Sequence, residues 1–285
     1  RSVLFASIVV AVGIFLVSFT FIDIIIVKFD IKSVLKRIVV LKRMVITLSL
    51  MVLFGSFSSA KVTQLDYVGT FGIFGKVGAI KNTLTQNDKN YKIETTVNVE
   101  GLAKVLMRNP TEHYVSKGHM ENGLMVSDSY TMVSTKSDKK VSKEYHINHK
   151  EKYVTKRYRK WRNGKLTQDT TEKLKFYAKD DLLTLYFNLG TAVKQKGKKH
   201  LFHAVGLEKQ DGRVYITAPN DNELAPYIKD LGVGAKLYVK ALIHQKNFRK
   251  KKGDILLGVA EDGFIQKAVI KDILLYGDAK LERVK

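Results

Sequence analysis

The chain lacks cysteine altogether and has only three prolines among its 285 residues. The missing thiols exclude disulfide bonds, thiolate zinc sites, iron–sulfur clusters, cysteine nucleophiles and lipid attachment through an N-terminal cysteine. Pro110, Pro219 and Pro226 all fall in segments that we predict to be connections or non-strand structure, where a missing backbone N–H does least harm.

Catalytic motifs are also lacking, because the sequence contains neither a G-x-S-x-G elbow nor a P-loop. Glycines at positions 69, 72, 75 and 78 are followed by a strand-like segment, whereas a dinucleotide fingerprint needs a helix there. We interpret them as sites of sheet curvature. The acid pairs Asp180–Asp181 and Glu261–Asp262 are interpreted as a helix start and a turn. The sequence therefore predicts a non-enzymatic protein without a cofactor.

Negative charge is scarce. The chain has 27 acidic against 49 basic residues, which gives a formal net charge of +22. Residues 1–60 contain seven basic and two acidic residues, so the remainder carries +17. This excess predicts acidic rather than basic partners.

The N-terminal region holds the long apolar runs of the chain. Val3–Val27 is long enough to cross a bilayer, and the basic residues that follow it are typical of a cytoplasmic flank. The chain begins with Arg1, and Met44 stands where a signal peptide would begin. Two interpretations of residues 1–43 follow: they lie upstream of the true start, or they form a membrane anchor.

Residues 44–60 have the pattern of a secretory signal peptide. A basic flank precedes the short apolar run Val45–Phe57, and small residues follow at Ser58–Ala60. We therefore expect residues 61–285 to be an exported domain, either free in a periplasm or anchored in the inner membrane and facing the periplasm. In the second case the N-terminal segment contacts the membrane.

The exported part alternates between apolar and polar residues with period two. One face of Tyr91–Val99 is apolar and the other polar, and Leu237–Ile243 repeats the pattern, which is typical of antiparallel strands with one wet face. Four Asn-Gly or Asp-Gly pairs lie between such runs and predict hairpins. They start at residues 122, 163, 211 and 262.

About a dozen strands fit between these turns. So many neighbouring strands usually curl or close. We therefore predict an all-β, mainly antiparallel fold, either a curved sheet or an up-and-down meander barrel with one or two short helices. The helices are expected at Gly101–Met107 and Asp180–Leu189, the second stopped by Gly190. That second helix is expected to plug or cap the sheet, or alternatively to gate a ligand.

Two basic segments are the candidate binding sites. Residues 150–165, the basic hairpin, mix cations with aromatic side chains, as a surface for an anionic glycan, a lipid headgroup or nucleic acid does. Because an exported protein rarely meets nucleic acid, and a solvated hairpin face has the same composition, nucleic acid is not among the predicted partners. The candidates here are Lys156, Arg157, Tyr158, Arg159 and Trp161, and in a second proposed loop Lys246, Arg249, Lys250, Lys251 and Lys252.

Two histidine pairs, His146–His149 and His200–His203, have a spacing of three. This spacing puts the two side chains on opposite faces of a strand, so neither pair is expected to chelate a metal locally. No metal site is predicted, apart from the alternative of one assembled from distant parts of the chain.

Four segments in the same order resemble the bacterial exported proteins of domain of unknown function 3108. They are YVGTFGIFGKVG at 67–78, Ser116-x-Gly118 with Asn122-Gly123-Leu124, DDLLTLYFNL at 180–189 and DGFIQKAVI at 262–270. The resemblance implies a signal-bearing periplasmic protein with a many-stranded antiparallel barrel. It implies no activity and no catalytic residues.

Three functions remain open at this point. The first is a non-enzymatic periplasmic protein that binds an amphipathic or anionic envelope molecule, such as a lipid or lipid-linked glycan. The second is a structural or assembly factor that docks another envelope protein. The third is an enzyme acting on envelope glycans, which needs two converging carboxylates.

Overall fold

A computed structural model describes residues 60–106, 110–207, 211–243, 253–273 and 277–284, all within one compact unit, Ser59–Lys285. The predicted span Val3–Val27 and nearly all of the signal peptide lie outside these ranges. Within them, no helix is both long enough and apolar enough to cross a bilayer. The strands, β1 to β15 in order, are Lys61–Phe71, Lys76–Gln86, Asn90–Val99, Thr111–Glu121, Leu124–Lys136, Lys139–Asn148, Tyr153–Arg162, Lys165–Lys173, Asp180–Asp181, Lys199–Val205, Arg213–Thr217, Leu237–Ile243, Gly253–Val259, Ile265–Ile273 and Gly277–Arg283. The α-helices are α1, Gly101–Leu106, α2, Leu182–Ala192, and α3, Ala225–Leu231.

The strands form one sheet built as two meanders. From β1 the chain steps outward strand by strand to β8, crosses to β9 and β10, and then steps back through β11 to β15, which pairs with β1. All neighbours pair antiparallel except β9 and β10, which run parallel. The predicted fold class, a mainly antiparallel curved sheet with short helices, is confirmed.

The sheet curves so that strands far apart in its order share a core. Tyr130 of β5 and Tyr145 of β6 pack with Val205 of β10. The apolar face of β3, where Tyr91, Ile93 and Thr95 are buried, is the face predicted from the alternation. Burial of these faces between the two meanders, together with the covering helices, is what removes them from water.

Helix α2 lies in the main core, where Leu185, Phe187 and Leu189 are buried among side chains of both meanders. Asp181 caps its N-terminus, in agreement with the predicted start. The predicted stop at Gly190 is wrong, because the helix continues to Ala192. Gly190 has a different role: a Cβ there would lie 2.5 Å from the carbonyl oxygen of Gly263.

Helix α3 was not predicted, and it changes the environment of β12. We expected one face of β12 to be wet. Instead Tyr238 is buried with Leu231 of α3 and Leu256 of β13, and its hydroxyl donates to the carbonyl oxygen of Gly232 over 2.8 Å. The predicted wet face is therefore wrong at Tyr238, whereas Lys236 and Lys240 on the same face keep contact with solvent.

All four predicted hairpin turns join neighbouring strands. Asn122–Gly123 and Asn163–Gly164 have positive φ at both residues, as a type I′ turn requires. At the other two pairs only Gly212 and Gly263 have positive φ. Two of the periodic glycines lie in β1 and β2. The pairing of these strands shifts register after Gly69. At Gly78 the backbone of β3 approaches so closely that a Cβ would lie 2.4 Å from the carbonyl oxygen of Asn98. Gly72 and Gly75 lie in the connection between β1 and β2 and have positive φ, so the interpretation as sites of sheet curvature is wrong for these two.

Candidate functional site

A cleft of about 330 Å³ opens between β5 and β10. The first residues of β5, residues 201–203 of β10, one side of α2 and the segment before it line this cleft. We call it the α2 cleft. Its lining comprises Leu124, Met125, Val126, Tyr177, Lys179, Asp180, Leu185, Asn188, Ala192, Leu201, Phe202 and His203. Most of this surface is apolar, and Leu201 is 49% exposed beside it.

Asp181, which follows the cleft residue Asp180, is fully buried and accepts four hydrogen bonds. Its Oδ1 accepts from the backbone N–H groups of Leu183 and Thr184 at 2.8 and 2.9 Å. Its Oδ2 accepts from the hydroxyls of Ser116 and Thr184 at 2.6 and 2.8 Å. Burial nevertheless raises the pKa of this carboxyl, which the hydrogen bonds from Ser116, Thr184 and other neighbours counteract.

The phenol of Tyr91 completes the network on the β3 side. Its oxygen lies 2.7 Å from the hydroxyl of Thr184 and 3.1 Å from that of Ser116. Burial and then the nearby Asp181 raise the pKa of Tyr91 well above its ordinary value, so the phenol stays protonated. The network therefore ties α2 to strands β3 and β4.

Asp180, next to this network, lines the α2 cleft. One of its carboxyl oxygens, Oδ1, is buried and has no hydrogen-bond partner in the described part of the chain. Burial, and then the neighbouring Asp181, raise the pKa of Asp180 to about 7. Near neutral pH this carboxyl therefore exists in both protonation states. It can donate a hydrogen bond to a ligand or accept one from it.

The raised pKa of Asp180 predicts a pH-dependent stability. Between about pH 4 and pH 7 the folded protein holds a proton that the unfolded chain has lost, so the contribution of Asp180 to stability falls as the pH rises. We expect Asp180→Asn to increase the free energy of unfolding by about 1–3 kcal/mol at pH 8 and to change it little at pH 4.5. Urea unfolding at both pH values measures this. The exposed Asp138→Asn is the control, and equal effects of Asp180→Asn at the two pH values would contradict the prediction.

A second group of side chains lies close to the cleft. Nδ1 of His119 is 3.0 Å from Oδ1 of Asp128, and the same oxygen is 3.3 Å from Nε2 of His149. Nδ1 of His149 lies 2.9 Å from the hydroxyl of Tyr177, which lines the cleft. We call His119, Asp128 and His149 the His–Asp cluster. Its members come from β4, β5 and the turn after β6. The sequence left a site assembled from distant parts of the chain as an alternative but did not indicate these residues, because no local spacing connects them.

The basic hairpin lies on β7 and the turn to β8, and its candidate cations are paired with acids of neighbouring strands. Arg157 makes two hydrogen bonds to Asp169 of β8, at 2.9 and 2.6 Å. Nζ of Lys156 lies 2.9 Å from Oε1 of Glu172. Arg159 pairs with Glu144 of β6. The charge that this hairpin offers to an anionic ligand is therefore smaller than the sequence suggests.

The aromatic candidates of the hairpin, Tyr158 and Trp161, are three residues apart on β7 and therefore lie on opposite faces of the sheet. Trp161 packs beneath Lys140 and Arg159, whose charged groups lie 5.2 and 5.4 Å from the centroid of its ring. Tyr158 is paired in register with Lys143 of β6 and Thr170 of β8. Cross-strand packing of this kind stabilises a hairpin without a ligand. The second basic segment lies outside the described residues. It comprises Lys246, Arg249, Lys250, Lys251 and Lys252.

No protein-family model and no curated protein matches the chain. It is similar to the crystal structure of a beta-barrel-like protein of domain of unknown function DUF1849 from Brucella abortus. The TM-score is 0.44 with 10% sequence identity, over 79% of this chain and 96% of that chain. The resemblance to domain of unknown function 3108 therefore stays a prediction.

Proposed function

We propose that this protein is a non-enzymatic component of the bacterial envelope that binds part of an amphipathic molecule in the α2 cleft. The observation that carries the proposal is the unpartnered, buried Oδ1 of Asp180 beside an apolar wall. A buried polar atom without a partner is costly. We propose that a ligand in the cleft turns the Asp180 side chain so that this oxygen gains a hydroxyl or amide partner. We propose that the domain works in the periplasm, in keeping with the signal-peptide pattern of residues 44–60.

The size and lining of the cleft limit the ligand. Its volume, about 330 Å³, is at the small end of ligand pockets. It accepts a sugar or a short apolar segment rather than a complete two-chain lipid. Leu201 and Phe202 offer apolar contact, and Asp180 and His203 offer polar contact. A lipid-linked glycan has both kinds of group, and the charge of +17 on residues 61–285 favours anionic members of that class.

The carboxyls of the site support binding rather than glycan hydrolysis. Glycoside hydrolases place two carboxyl groups roughly 5–9.5 Å apart around the scissile bond. Asp180 is the one acidic residue among the described residues that line the cleft. Asp181 is fully buried, and its two oxygens already accept four hydrogen bonds. We therefore propose no catalytic role for this pair.

The test is native mass spectrometry of the full chain purified in mild detergent from its own membranes. We expect an amphipathic molecule bound to the wild type and to Leu166→Asp, whose leucine is exposed on β8 away from the cleft. Leu201→Asp places a charge against the apolar ligand body and should reduce occupancy at least about tenfold. A wild-type protein that carries nothing, or equal loss in both variants, would refute the proposal.

The edge strand β8 favours a second candidate function, docking of another envelope protein. Every residue of β8 is exposed, and within the described sheet β8 pairs only with β7. An open edge of this kind can add a strand from a partner. A photo-crosslinker at Gln168 should then capture one defined envelope protein in cells, while the same group at Lys89, in the β2–β3 turn, should not.

A further inference from the structure

A β-bulge sets the direction of the Asp128 side chain. Gly118 of β4 pairs with Ser127, whereas the preceding Lys117 pairs with Ser129. Asp128 is therefore the extra residue between them, with no partner of its own on β4. Bulges of this kind redirect side chains and are common beside functional sites. Here the carboxylate meets His119 on one side and His149 on the other.

From this arrangement we infer that His119, Asp128 and His149 bind one divalent transition-metal ion of the zinc class. One ligand atom from each residue lies within 4.8 Å of the other two. Two ligands bound tetrahedrally to one ion at about 2.0–2.1 Å are roughly 3.3 Å apart. The measured separations of 3.0 and 3.3 Å around Oδ1 of Asp128 agree with that spacing.

The surroundings of His149 fit those of a metal ligand. Metal-binding histidines almost always hydrogen-bond through their second ring nitrogen. Nδ1 of His149 has such a partner in the hydroxyl of Tyr177, at 2.9 Å. Without metal, Nε2–H of His149 donates to the carbonyl oxygen of Ser127 over 2.8 Å, and a metal on Nε2 would replace this hydrogen bond. With a metal on Nε2, the neutral imidazole would carry its one proton on Nδ1, and Nδ1–H would donate to the hydroxyl of Tyr177.

The donor set decides the class of metal. Two imidazole nitrogens and a carboxylate suit Zn²⁺, Ni²⁺, Cu²⁺ or Fe²⁺, while Ca²⁺ and Mg²⁺ prefer oxygen ligands. The three side chains are 26–50% exposed, so an ion can enter from solvent. Three protein ligands also leave at least one coordination position open. The metal site does not rest on the ligand proposed for the α2 cleft. Tyr177 lines that cleft and also forms a hydrogen bond with His149.

The experiment is a calorimetric titration of the full chain, purified in detergent without a histidine tag, with ZnCl₂. We expect one Zn²⁺ per chain, and at least about tenfold weaker binding for His119→Gln and for His149→Gln. His146→Gln is the matched control, because that histidine is exposed three residues away on β6 and lies outside the cluster. Its affinity should equal that of the wild type. MgCl₂ should produce no binding heat.

A second measurement guards against loss of fold. Wild-type protein with bound Co²⁺ should show visible d–d absorption, and the Asp128→Asn variant should not. Without metal, the thermal unfolding of this variant should match that of the wild type. Zinc binding that survives all three cluster variants, or that His146→Gln weakens equally, would overturn the assignment. So would the absence of zinc binding by the wild type. Loss of the cobalt spectrum in Asp128→Asn with an unchanged metal-free melting curve supports it.

Discussion

Replacing Asp181 by alanine should lower the free energy of unfolding by about 3–5 kcal/mol. The substitution removes the N-cap of α2 and leaves two backbone N–H groups and two hydroxyls without their acceptor in a site that water does not reach. For a domain of this size the midpoint of thermal unfolding should fall by roughly 10 °C. Thermal and urea unfolding of the full chain measure both quantities.

Two variants separate this effect from a general loss of charge. Asp181→Asn keeps an oxygen for the helix N–H groups and should cost less than alanine. Asp138→Ala removes an exposed carboxylate that pairs only loosely, at 3.4 Å, with Arg162, and should change stability by less than about 0.5 kcal/mol. A cost below about 1 kcal/mol for Asp181→Ala would show that the network contributes little.

Gly118→Ala should destabilise the protein by at least about 3 kcal/mol. A Cβ at this position would lie 1.9 Å from the carbonyl oxygen of Val126 and 2.8 Å from Cε1 of Tyr91. The first of these atoms is backbone, so only a shift of β4 against β5 relieves the clash. That shift would also move the bulge residue Asp128. We therefore expect weaker zinc binding together with a lower urea midpoint.

The control is Gly258→Ala in β13. There the nearest atom to a new Cβ would be the Cβ of Ala235, at 3.4 Å, which is close to ordinary contact. We expect a change in stability of about 1 kcal/mol or less. If both alanine variants unfold at the same urea concentration, the close approach at Gly118 is not the cause.

The local structure was largely predictable from sequence because it depends on neighbouring residues. Alternation in β3 predicts its buried face, and Asn122–Gly123 predicts the β4–β5 turn because both residues tolerate positive φ. A helix start at Asp180 or Asp181 follows from their short acceptor side chains, and the structure shows that Asp181 is the cap. The end of α2 was mispredicted because Gly190 serves a contact with the distant Gly263, which no local pattern contains.

For the candidate sites, too, local sequence predicted the segments but not the contacts between them. Sequence selected the basic hairpin by its cations, but the register of β7 with β6 and β8 places Glu144, Asp169 and Glu172 opposite them. It singled out Ser116-x-Gly118 and the 180–189 segment separately, without indicating that Ser116 and Asp181 share a hydrogen bond. Residues 65 positions apart meet only when the sheet curves around α2.

The sequence by itself determined the strands, most of their turns and the antiparallel class, since period-two alternation and positive-φ residues act over a few residues. Tertiary structure alone decided the α2 cleft, the buried Asp181 and the His–Asp cluster. Each of these depends on strand register, on a bulge that adds one residue, and on the curvature that brings β5 to β10. Those features arise from packing between segments that are distant in the chain, where local propensity has no influence.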